Sequence, residues 1–330
     1  MSKKYDVCAI GNALVDYEIE VEDQFFSDNK VEKGLMTLVD AQRQTELLAT
    51  AHEKIKKRQG GGSAANTIFG LSIFGGKGYY TCKVANDEDG SLYMNDLAKA
   101  GIDSNLEMDT LPKGTTGKCL VMITSDAERT MNTYLGITSD FSKNELDLKA
   151  IKDSNYIFME GFLVSSETGL EAMKEAKRMA QENDVKVSMT FSDPSMVKYF
   201  KDQMTEVVGD GVDLLFCNIE EAELFADVQG FEAAKEAIKK IAKQFVITRG
   251  EKGAVVYNGS EFIEIDPFPT KAVDSTGAGD MFAGAYLYAI NNGHSHEEAG
   301  TLASAASSAV VSKFGPRLEN GHVEAIRNKI

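Results

Sequence analysis

The sequence predicts an α/β protein with a doubly wound, mainly parallel sheet flanked by helices, to which a small antiparallel sheet is added. Short apolar or β-branched runs alternate with longer runs of helical period along the 330 residues, which is typical of parallel strands joined by helices. Several short runs are apolar throughout, as strands buried on both faces must be. Two further segments alternate apolar and polar residues, which indicates strands with one wet face.

The strands of the main sheet are predicted, in chain order, at YDVCAIG, KGYYTCKV, SNYIFMEG, VKVSMTF, VDLLFCN, QFVITRG and GAVVYNG. Helical period appears in AQRQTELLATAHEKIKK, SLYMNDLAKAG, SETGLEAMKEAKRMAQEN, IEEAELFA and GFEAAKEAIKKIAK. A doubly wound sheet binds its ligands outside the carboxyl ends of its strands. Polar residues that directly follow a strand are therefore the first candidates for a site.

The small sheet is predicted from two segments that break this alternation. Residues 13–23 follow the first strand without a helix, and residues 114–136 resemble a hairpin around the turn-rich TSDAER. An edge extension of the main sheet is the alternative interpretation. We expect a large unit of residues 1–12, 41–112 and 137–330, interleaved with a small unit of residues 13–40 and 113–136.

Composition excludes several classes of partner. A net charge of −16 opposes binding to nucleic acid or to an anionic membrane surface. Four cysteines lie singly in apolar runs, which indicates buried, reduced thiols. With no signal peptide and no long apolar span, a cytoplasmic, soluble protein is expected. The basic run at residues 53–58 is interpreted as a solvated helix end.

The first glycine-bearing cluster is RQGGGSAANTIFGLSIFGG. Gly61 and Gly62 allow a ligand to approach the backbone closely, and Ser63 is a suitable N-cap for the helix that follows. Asn66 lies one turn into that helix among small and apolar neighbours, where a buried amide needs polar partners. A ligand rich in hydroxyl groups would supply them. A flexible turn followed by a capped helix is the alternative.

The second cluster, IGNALVD, places Asn12 and Asp16 just after the first strand. At the carboxyl end of that strand, these side chains can bind vicinal hydroxyl groups through pairs of hydrogen bonds. The alternative is an ordinary Asx turn with a solvated acid beside it.

The third cluster is AVDSTGAGDMFAGA. The amides of Gly277, Ala278 and Gly279 are predicted to form an anion hole at the start of a helix. Asp280 either stabilises the helix dipole or accepts a proton from a hydroxyl group that attacks a phosphoryl group. No G-x-x-x-x-G-K-[ST] motif occurs, and Phe282 occupies the third glycine position of a dinucleotide motif, which disfavours an NAD-dependent oxidoreductase.

DSTGAGDMFAGA resembles the D-T-x-G-A-G-D signature of the ribokinase-like carbohydrate and nucleoside kinases, the PfkB family. GNALVD, GGSAAN, CNIEEAELF and VITRGEKGAVV resemble four further elements of that family, in the family's order, so that the resemblance covers essentially the whole chain. The resemblance implies a ribokinase-like fold, a β lid formed by the small sheet, and the use of ATP with Mg²⁺.

Roles follow from the resemblance position by position. Asp280 is expected to be the base, and Gly277, Ala278 and Gly279 the anion hole for the transferred phosphoryl group. The sugar or ribose site is expected to contain Asn12, Asp16, Gly61, Gly62, Ser63 and Asn66. The nucleotide side is expected to contain Asn218, Thr248, Gly250 and Gly253, with Glu221 organising Mg²⁺ largely through water. Asp274 and Thr276 lie where some members of the family bind a monovalent cation such as K⁺.

The acceptor is inferred from the lid side of the sequence, where the resemblance is to adenosine kinases. Arg129 resembles a lid arginine that in those enzymes swings toward the phosphates, so the resemblance implies a catalytic role. Phe162 matches an aromatic residue of their purine pocket. Met36 and Leu38 would add apolar walls to that pocket, although ordinary core packing is the alternative for all three apolar residues. The expected reaction is phosphorylation of the 5′-hydroxyl of adenosine to give AMP.

Other acceptors and functions remain open at this stage. A ribokinase-type or fructokinase-type sugar kinase, an inosine or guanosine kinase, and a nucleoside-binding regulatory module without turnover are the alternatives. The chain is expected to act as a monomer or as a homodimer formed through the lid.

Overall fold

The computed structural model describes residues 3–126 and 128–329, which fold into two sheets and their helices. The strands are β1 Tyr5–Ile10, β2 Leu14–Glu20, β3 Met36–Leu38, β4 Ile55–Gly61, β5 Gly78–Thr81, β6 Asp103–Ser104, β7 Gly117–Ile123, β8 Arg129–Tyr134, β9 Ser154–Glu160, β10 Lys186–Thr190, β11 Val212–Asn218, β12 Ala242–Thr248, β13 Ala254–Tyr257 and β14 Phe262–Ile265. The helices are α1 Asp23–Asn29, α2 Ala41–Ala51, α3 Ser63–Ile73, α4 Glu88–Lys99, α5 Leu148–Lys152, α6 Glu167–Gln181, α7 Pro194–Val208, α8 Ile219–Ala226, α9 Phe231–Ile238, α10 Ala278–Asn291, α11 His296–Val311 and α12 Val323–Arg327.

The large sheet has nine strands in the order β14-β13-β12-β11-β10-β9-β1-β5-β6. Strands β1, β5, β6 and β9 to β12 pair in parallel, whereas β13 and β14 add antiparallel pairs at one edge. The chain proceeds outward from β1 in both directions, first through β5 and later through β9. The strand order therefore reverses at β1, and a ligand crevice is expected at the carboxyl end of this strand.

Helices cover both faces of the large sheet, which confirms the predicted fold class. Side chains of β1 alternate between the two cores: Val7 and Ala9 pack with residues of α3, α10 and α11, whereas Cys8 and Ile10 pack with residues of α6, α7 and α9. All seven strands predicted for this sheet are present. The cysteines are free and buried, as predicted.

The small sheet is separate from the large one and has the strand order β3-β8-β7-β2-β4. Antiparallel pairs join β2 to β4 and β7 to β8, so the predicted hairpin is present. Parallel pairs join β2 to β7 and β3 to β8, and the sheet is therefore mixed rather than purely antiparallel. Its outer face is covered by α1 and α2, through apolar contacts that include Phe25, Phe26 and Leu47.

Strand β4 differs from the sequence prediction, which placed its residues in the large unit and interpreted residues 53–58 as a solvated helix end. Helix α2 ends at Ala51, and the chain then pairs with β2 from Ile55 to Gly61. Arg58 lies 2.9 Å from Glu88 and 2.8 Å from Asp89. An open edge of β2 and these acidic partners on α4 account for a strand where the local sequence is strongly basic.

Among the helices of residues 3–126 and 128–329, none combines the length and the apolarity that crossing a bilayer requires.

Candidate active site

A cavity of about 280 Å³ opens at the carboxyl ends of β1, β9, β10, β11 and β12, with the small sheet forming its opposite wall. Most of the residues singled out in the sequence line it together, although they are distributed over more than 260 positions of the chain. They are Asn12, Asp16, Met36, Leu38, Gly62, Ser63, Asn66, Arg129, Phe162, Asn218, Glu221, Thr248, Thr276, Gly277, Ala278, Gly279 and Asp280. The structure thus brings the three glycine-bearing clusters to one cavity.

Asp280 lies in the first turn of α10, and both of its carboxylate oxygens are held by residues of α3. Ser63 Oγ donates to Oδ1 at 2.7 Å, and Asn66 Nδ2 donates to Oδ2 at 3.2 Å. Burial raises the pKa of Asp280 to about 6, against the opposing effects of these hydrogen bonds and of Arg129 and Arg317. A carboxylate with a pKa near neutrality, fixed in orientation and facing a cavity, can accept a proton in that cavity.

The start of α10 provides amides for an anion. Gly277 caps the helix with φ +73°, a left-handed conformation in which a Cβ would lie 2.4 Å from Pro316 Cβ. The Ala278 amide donates to the Ser275 carbonyl at 3.3 Å, so it is less available than predicted. Within the described residues the Gly279 amide has no hydrogen-bond partner, and a Cβ on Gly279 would meet no atom within 4 Å. The hole therefore rests mainly on Gly277 and Gly279.

Asp16 lies on β2, paired with Gln59 of β4, and its side chain lines the cavity and passes close to Gly61. A Cβ added at Gly61 would lie 2.1 Å from the Asp16 carboxylate oxygen Oδ2. Gly61 does not line the cavity itself, but only glycine leaves room for Asp16. The Asp16 side chain is 6% exposed, and no described residue donates a hydrogen bond to its carboxylate. Burial, followed by the charge of Glu18, raises the pKa of Asp16 to about 7.

Glu160 is a buried acid at the end of β9 that the sequence analysis missed. Its Oε1 accepts from the Asn12 amide and its Oε2 accepts from the Ala64 amide, both at 2.7 Å. Burial raises the pKa of Glu160 to about 7 despite these bonds. Glu160 thus ties the loop after β1 to the start of α3. The sequence offered one indication of this role, because Glu160 is an acid that directly follows the apolar run SNYIFM.

The side chain of Asn12 is oriented by a loop residue that has no part in any sequence motif. Thr138 Oγ1 accepts from the Ala13 backbone amide at 3.2 Å. It also donates to Asn12 Oδ1 at 3.3 Å, since an amide oxygen can only accept. Because the side-chain oxygen of Asn12 accepts from Thr138, the NH₂ group is the donor that remains. A side-chain hydrogen bond from Asn12 is among the effects that lower the pKa of Glu160.

Asn218 and Glu221 form a reciprocal capping box at the start of α8. The Asn218 amide and side-chain Nδ2 each donate to one Glu221 oxygen at 2.9 Å, and the Glu221 amide donates to Asn218 Oδ1 at 2.8 Å. Both residues line the cavity, but each is already well partnered. No group of three or more His, Cys, Asp or Glu side chains suited to a metal occurs within the described residues. This donor set fits Mg²⁺ that keeps most of its water, as Mg²⁺ prefers.

Of the remaining predicted nucleotide and cation residues, only Thr248 and Thr276 line the cavity. Thr248 lines it at the end of β12, whereas Gly250 and Gly253 lie in the turn beyond and do not. Gly253 has φ +80°, and an added Cβ would lie 2.0 Å from the Ile265 carbonyl, so it serves the β12–β13 connection. Asp274 is fully buried behind the cavity wall and accepts from Thr276 and Gly315 amides. Binding of K⁺ there stays a prediction.

The small-sheet side of the cavity combines apolar side chains with the polar residues Asp16, Arg129 and Thr133. Met36, Leu38 and Met131 face the cavity from β3 and β8, and Phe162 faces it from the turn after β9. Arg129 at the start of β8 lies close enough to Asp16 and Asp280 to lower the pKa of each. A positive charge beside an anion hole suits a phosphate, and flat apolar walls suit an aromatic ring.

Arg317, the second residue missed by the sequence analysis, follows α11 and reaches the site from behind α3. Its Nε donates to Asn66 Oδ1 at 3.2 Å. No motif contains this residue, and it contacts Asn66 across 251 positions of the chain. Nothing in the local sequence GPRLEN distinguishes it from a surface arginine.

A doubly wound sheet, a β lid and a cavity with an acid at a helix N-terminus define a kinase that transfers a phosphoryl group to a hydroxyl group. The chain belongs to the pfkB family of carbohydrate kinases, which it matches over residues 34–321. The predicted family and the predicted class of enzyme are therefore confirmed.

Individual relatives carry different acceptors in their names. Adenosine kinase from Saccharomyces cerevisiae is 26% identical over 328 residues, covering 93% of this chain and 95% of that protein. A 5-dehydro-2-deoxygluconokinase from Clostridium beijerinckii is 27% identical over 286 residues, covering 83% and 84%. The crystal structure of adenosine kinase from Sinorhizobium meliloti superposes with a TM-score of 0.91 at 31% identity, covering 99% and 100%. The acceptor has to be argued from the cavity itself.

Proposed function

We propose that this kinase transfers the terminal phosphoryl group of ATP to the 5′-hydroxyl of a ribonucleoside, with adenosine as the acceptor and AMP as the product. One observation supports this most directly: the buried, unpartnered Asp16 carboxylate and the fixed Asp280 carboxylate face the same cavity. A ribose offers vicinal hydroxyl donors to Asp16 while its 5′-hydroxyl points to Asp280. Such an activity would return adenosine to the nucleotide pool of the cytoplasm.

The apolar wall supports a nucleoside over a free sugar. Met36, Leu38, Met131 and Phe162 line the same cavity as Asp280 and give it apolar surface. A purine ring would desolvate these side chains at about 25 cal/mol per Å² of buried apolar surface. A free sugar would leave them wet. Adenosine is also uncharged, so the net charge of −16 does not oppose its approach.

In the proposed mechanism Asp280 accepts the 5′-hydroxyl proton as the hydroxyl oxygen attacks the terminal phosphorus in line. The bond between that phosphorus and the bridging oxygen breaks, and ADP leaves. The amides of Gly277 and Gly279, together with the charge of Arg129, stabilise the negative charge of the transferring group. Glu221 and Asn218 would hold Mg²⁺ largely through water, and the ion would supply positive charge to the phosphates of the nucleotide. The small sheet covers the acceptor and excludes water, which would otherwise compete as a nucleophile.

A carbohydrate acceptor is the second candidate, and one feature favours it. Hydroxyl groups of Ser165, Thr190 and Ser192 line the same cavity as Phe162. They would serve a sugar or sugar acid with several hydroxyl groups better than they would serve a purine.

An acceptor panel tests the proposal. Release of ADP would be measured with adenosine, inosine, guanosine, ribose, fructose and 5-dehydro-2-deoxygluconate, with Asp280→Asn as the inactive control. We expect the highest kcat/KM with adenosine. A higher kcat/KM with any free sugar or sugar acid would refute the nucleoside assignment. Binding of adenosine without ADP release from any acceptor would instead indicate a regulatory module.

A further inference from the structure

The segment that follows α11 contacts four parts of the site in four consecutive residues. Phe314 packs against Cys119 and Val121 of the small sheet. The Gly315 amide donates to Asp274 Oδ2 at 2.9 Å, and Pro316 packs against Gly277. Arg317 completes the series by reaching α3. Because the first three contacts fix the backbone, the Arg317 side chain enters the interior in a defined position.

Arg317 is buried beside the site rather than in it. Its side chain is 12% exposed, and its guanidinium carbon lies 3.4 Å from the ring centroid of Phe69. Its Nη1 lies 3.7 Å from Asp96 Oδ2, which also accepts from the Gly60 amide at 2.9 Å. The arginine does not line the cavity, so it can influence the reaction only through the residues it contacts.

The contact that matters is with Asn66. An arginine side chain has hydrogen-bond donors and no acceptor, so the Asn66 atom that faces Arg317 Nε must be the amide oxygen. The amide nitrogen then faces the opposite way, where it donates to Asp280 Oδ2 at 3.2 Å. A flipped amide would present its oxygen to the carboxylate, and this contact is repulsive.

We propose that Arg317 is a positioning residue for phosphoryl transfer, which acts by holding the Asn66 amide in the orientation that donates to Asp280. The inference rests on the proposed function of Asp280 as the base. With Ser63 on Oδ1 and Asn66 on Oδ2, the carboxylate is fixed with its remaining lone pairs toward the cavity. Without Arg317, the Asn66 amide would be free to turn, and the carboxylate would lose one of its two restraints.

The charge of Arg317 acts in the same direction. The charged groups around Asp280 are Asp16 on β2, Arg129 on β8, Glu160 on β9, Glu221 on α8 and Arg317. Burial raises the pKa of Asp280, and the two arginines oppose this rise. Removing Arg317 is therefore expected to shift the Asp280 pKa upward as well as to release the amide.

The alternative is that Arg317 only anchors the segment through Phe69. Arg327 provides a matched control, because it also lies after α11, has its guanidinium carbon 5.7 Å from the ring centroid of Tyr288, and donates to the Phe74 carbonyl at the far end of α3. It has no contact with Asn66 or Asp280 among the described residues. Arg327 is more exposed than Arg317, and Arg327→Met removes an arginine contact with α3 at a distance from the base.

The experiment compares Arg317→Met, Arg317→Lys and Arg327→Met in the wild-type background and in an Asn66→Ala background. The acceptor is the one that the wild-type enzyme phosphorylates with the highest kcat/KM. We expect Arg317→Met to lower kcat roughly 10–100-fold, as small misplacements of reacting groups do, with the KM for ATP within about 2-fold of wild type. In the Asn66→Ala background the same substitution should lower kcat less than about 3-fold, because its target is gone.

A second readout needs no turnover. The Asp280 carboxyl carbon is titrated by NMR in ¹³C-aspartate-labelled protein, with Asp280→Asn for assignment. Arg317→Met should raise the Asp280 pKa, whereas Arg317→Lys, which keeps the charge, should not, and Arg327→Met should not. Should Arg317→Met fail to fold, the Lys variant carries the test, since it should lose kcat without a pKa shift.

Full additivity of Arg317→Met with Asn66→Ala, an unchanged Asp280 titration, or an equal loss in Arg327→Met would each overturn the proposal. Failure of the proposed function looks different, because the wild-type enzyme would then phosphorylate no acceptor while the NMR titration would still report on Arg317.

Discussion

Gly279→Ala should raise the stability of the protein and lower its activity. Gly279 lies in the first turn of α10 with no left-handed φ, and an added Cβ would meet no atom within 4 Å. Replacing a helical glycine with alanine there should raise the free energy of unfolding by about 0.5–1 kcal/mol. The same methyl group would project into the space next to the Gly279 amide, where the proposed mechanism places the transferring phosphoryl group.

The expected loss of activity follows from blocking one donor of the anion hole. Removing such a donor typically lowers kcat about 10²–10³-fold, so we expect a fall within this range. Unfolding in urea gives the change in stability, and a coupled assay of ADP release gives kcat.

Gly277→Ala is the matched control two positions earlier. There φ is +73° and the Cβ would lie 2.4 Å from Pro316, so this variant should lose at least about 1–2 kcal/mol of stability. A Gly279→Ala enzyme with wild-type kcat would show that the phosphoryl group does not occupy this helix N-terminus, and the reasoning would be wrong.

Three further predictions follow from the site. Asp280→Asn should lower kcat about 10²–10⁴-fold, with little change in the circular dichroism spectrum. The wild-type kcat/KM should fall below pH 6, because Asp280, with its pKa of about 6, takes up a proton there. A flat profile from pH 5 to 8 would contradict the base assignment. Burial raises the pKa of Asp16 and of Glu160 to about 7. Between the ordinary carboxyl pKa and pH 7, the native state therefore binds more protons than the unfolded state. The free energy of unfolding of the free protein should fall as the pH rises from 5 to 8, and a rise measured by urea unfolding would count against these shifts. Phe162→Ala should raise the KM for adenosine about 10-fold or more, through the loss of buried aromatic surface, and leave the KM for ATP unchanged; an equal effect on both would indicate general loosening of the core.

The main sheet was predictable because its strands are buried on both faces. Continuous apolar runs such as VDLLFCN identify themselves without reference to partners. Strand β4 was missed because IKKRQGG has a charged, half-exposed character that only its pairing with β2 explains. The decision between strand and helix end was made by a tertiary contact, which the local sequence does not contain.

The residues of the candidate site also fall into those that the local sequence predicts and those that it does not. Asp16, Asn66 and Asp280 stand in short motifs with glycine, and these motifs point to the cavity that the structure shows. Glu160 and Arg317 are single charged residues whose partners lie far away in the chain. Their importance comes from burial and from the direction of their hydrogen bonds. The neighbouring residues in the sequence predict neither property.

The contacts of Phe314 to Arg317 have a consequence for protein synthesis. Every glycine-bearing motif has been translated by the time α10 is complete, yet the segment that packs against Gly277 and orients Asn66 is translated only after α11. A chain whose translation stops within α11 would contain all the glycine-bearing motifs but would lack the segment from Phe314 to Arg317. We expect such a fragment to lack phosphoryl transfer, because Gly277 would have no Pro316 beside it and Asn66 would have no Arg317 to orient it.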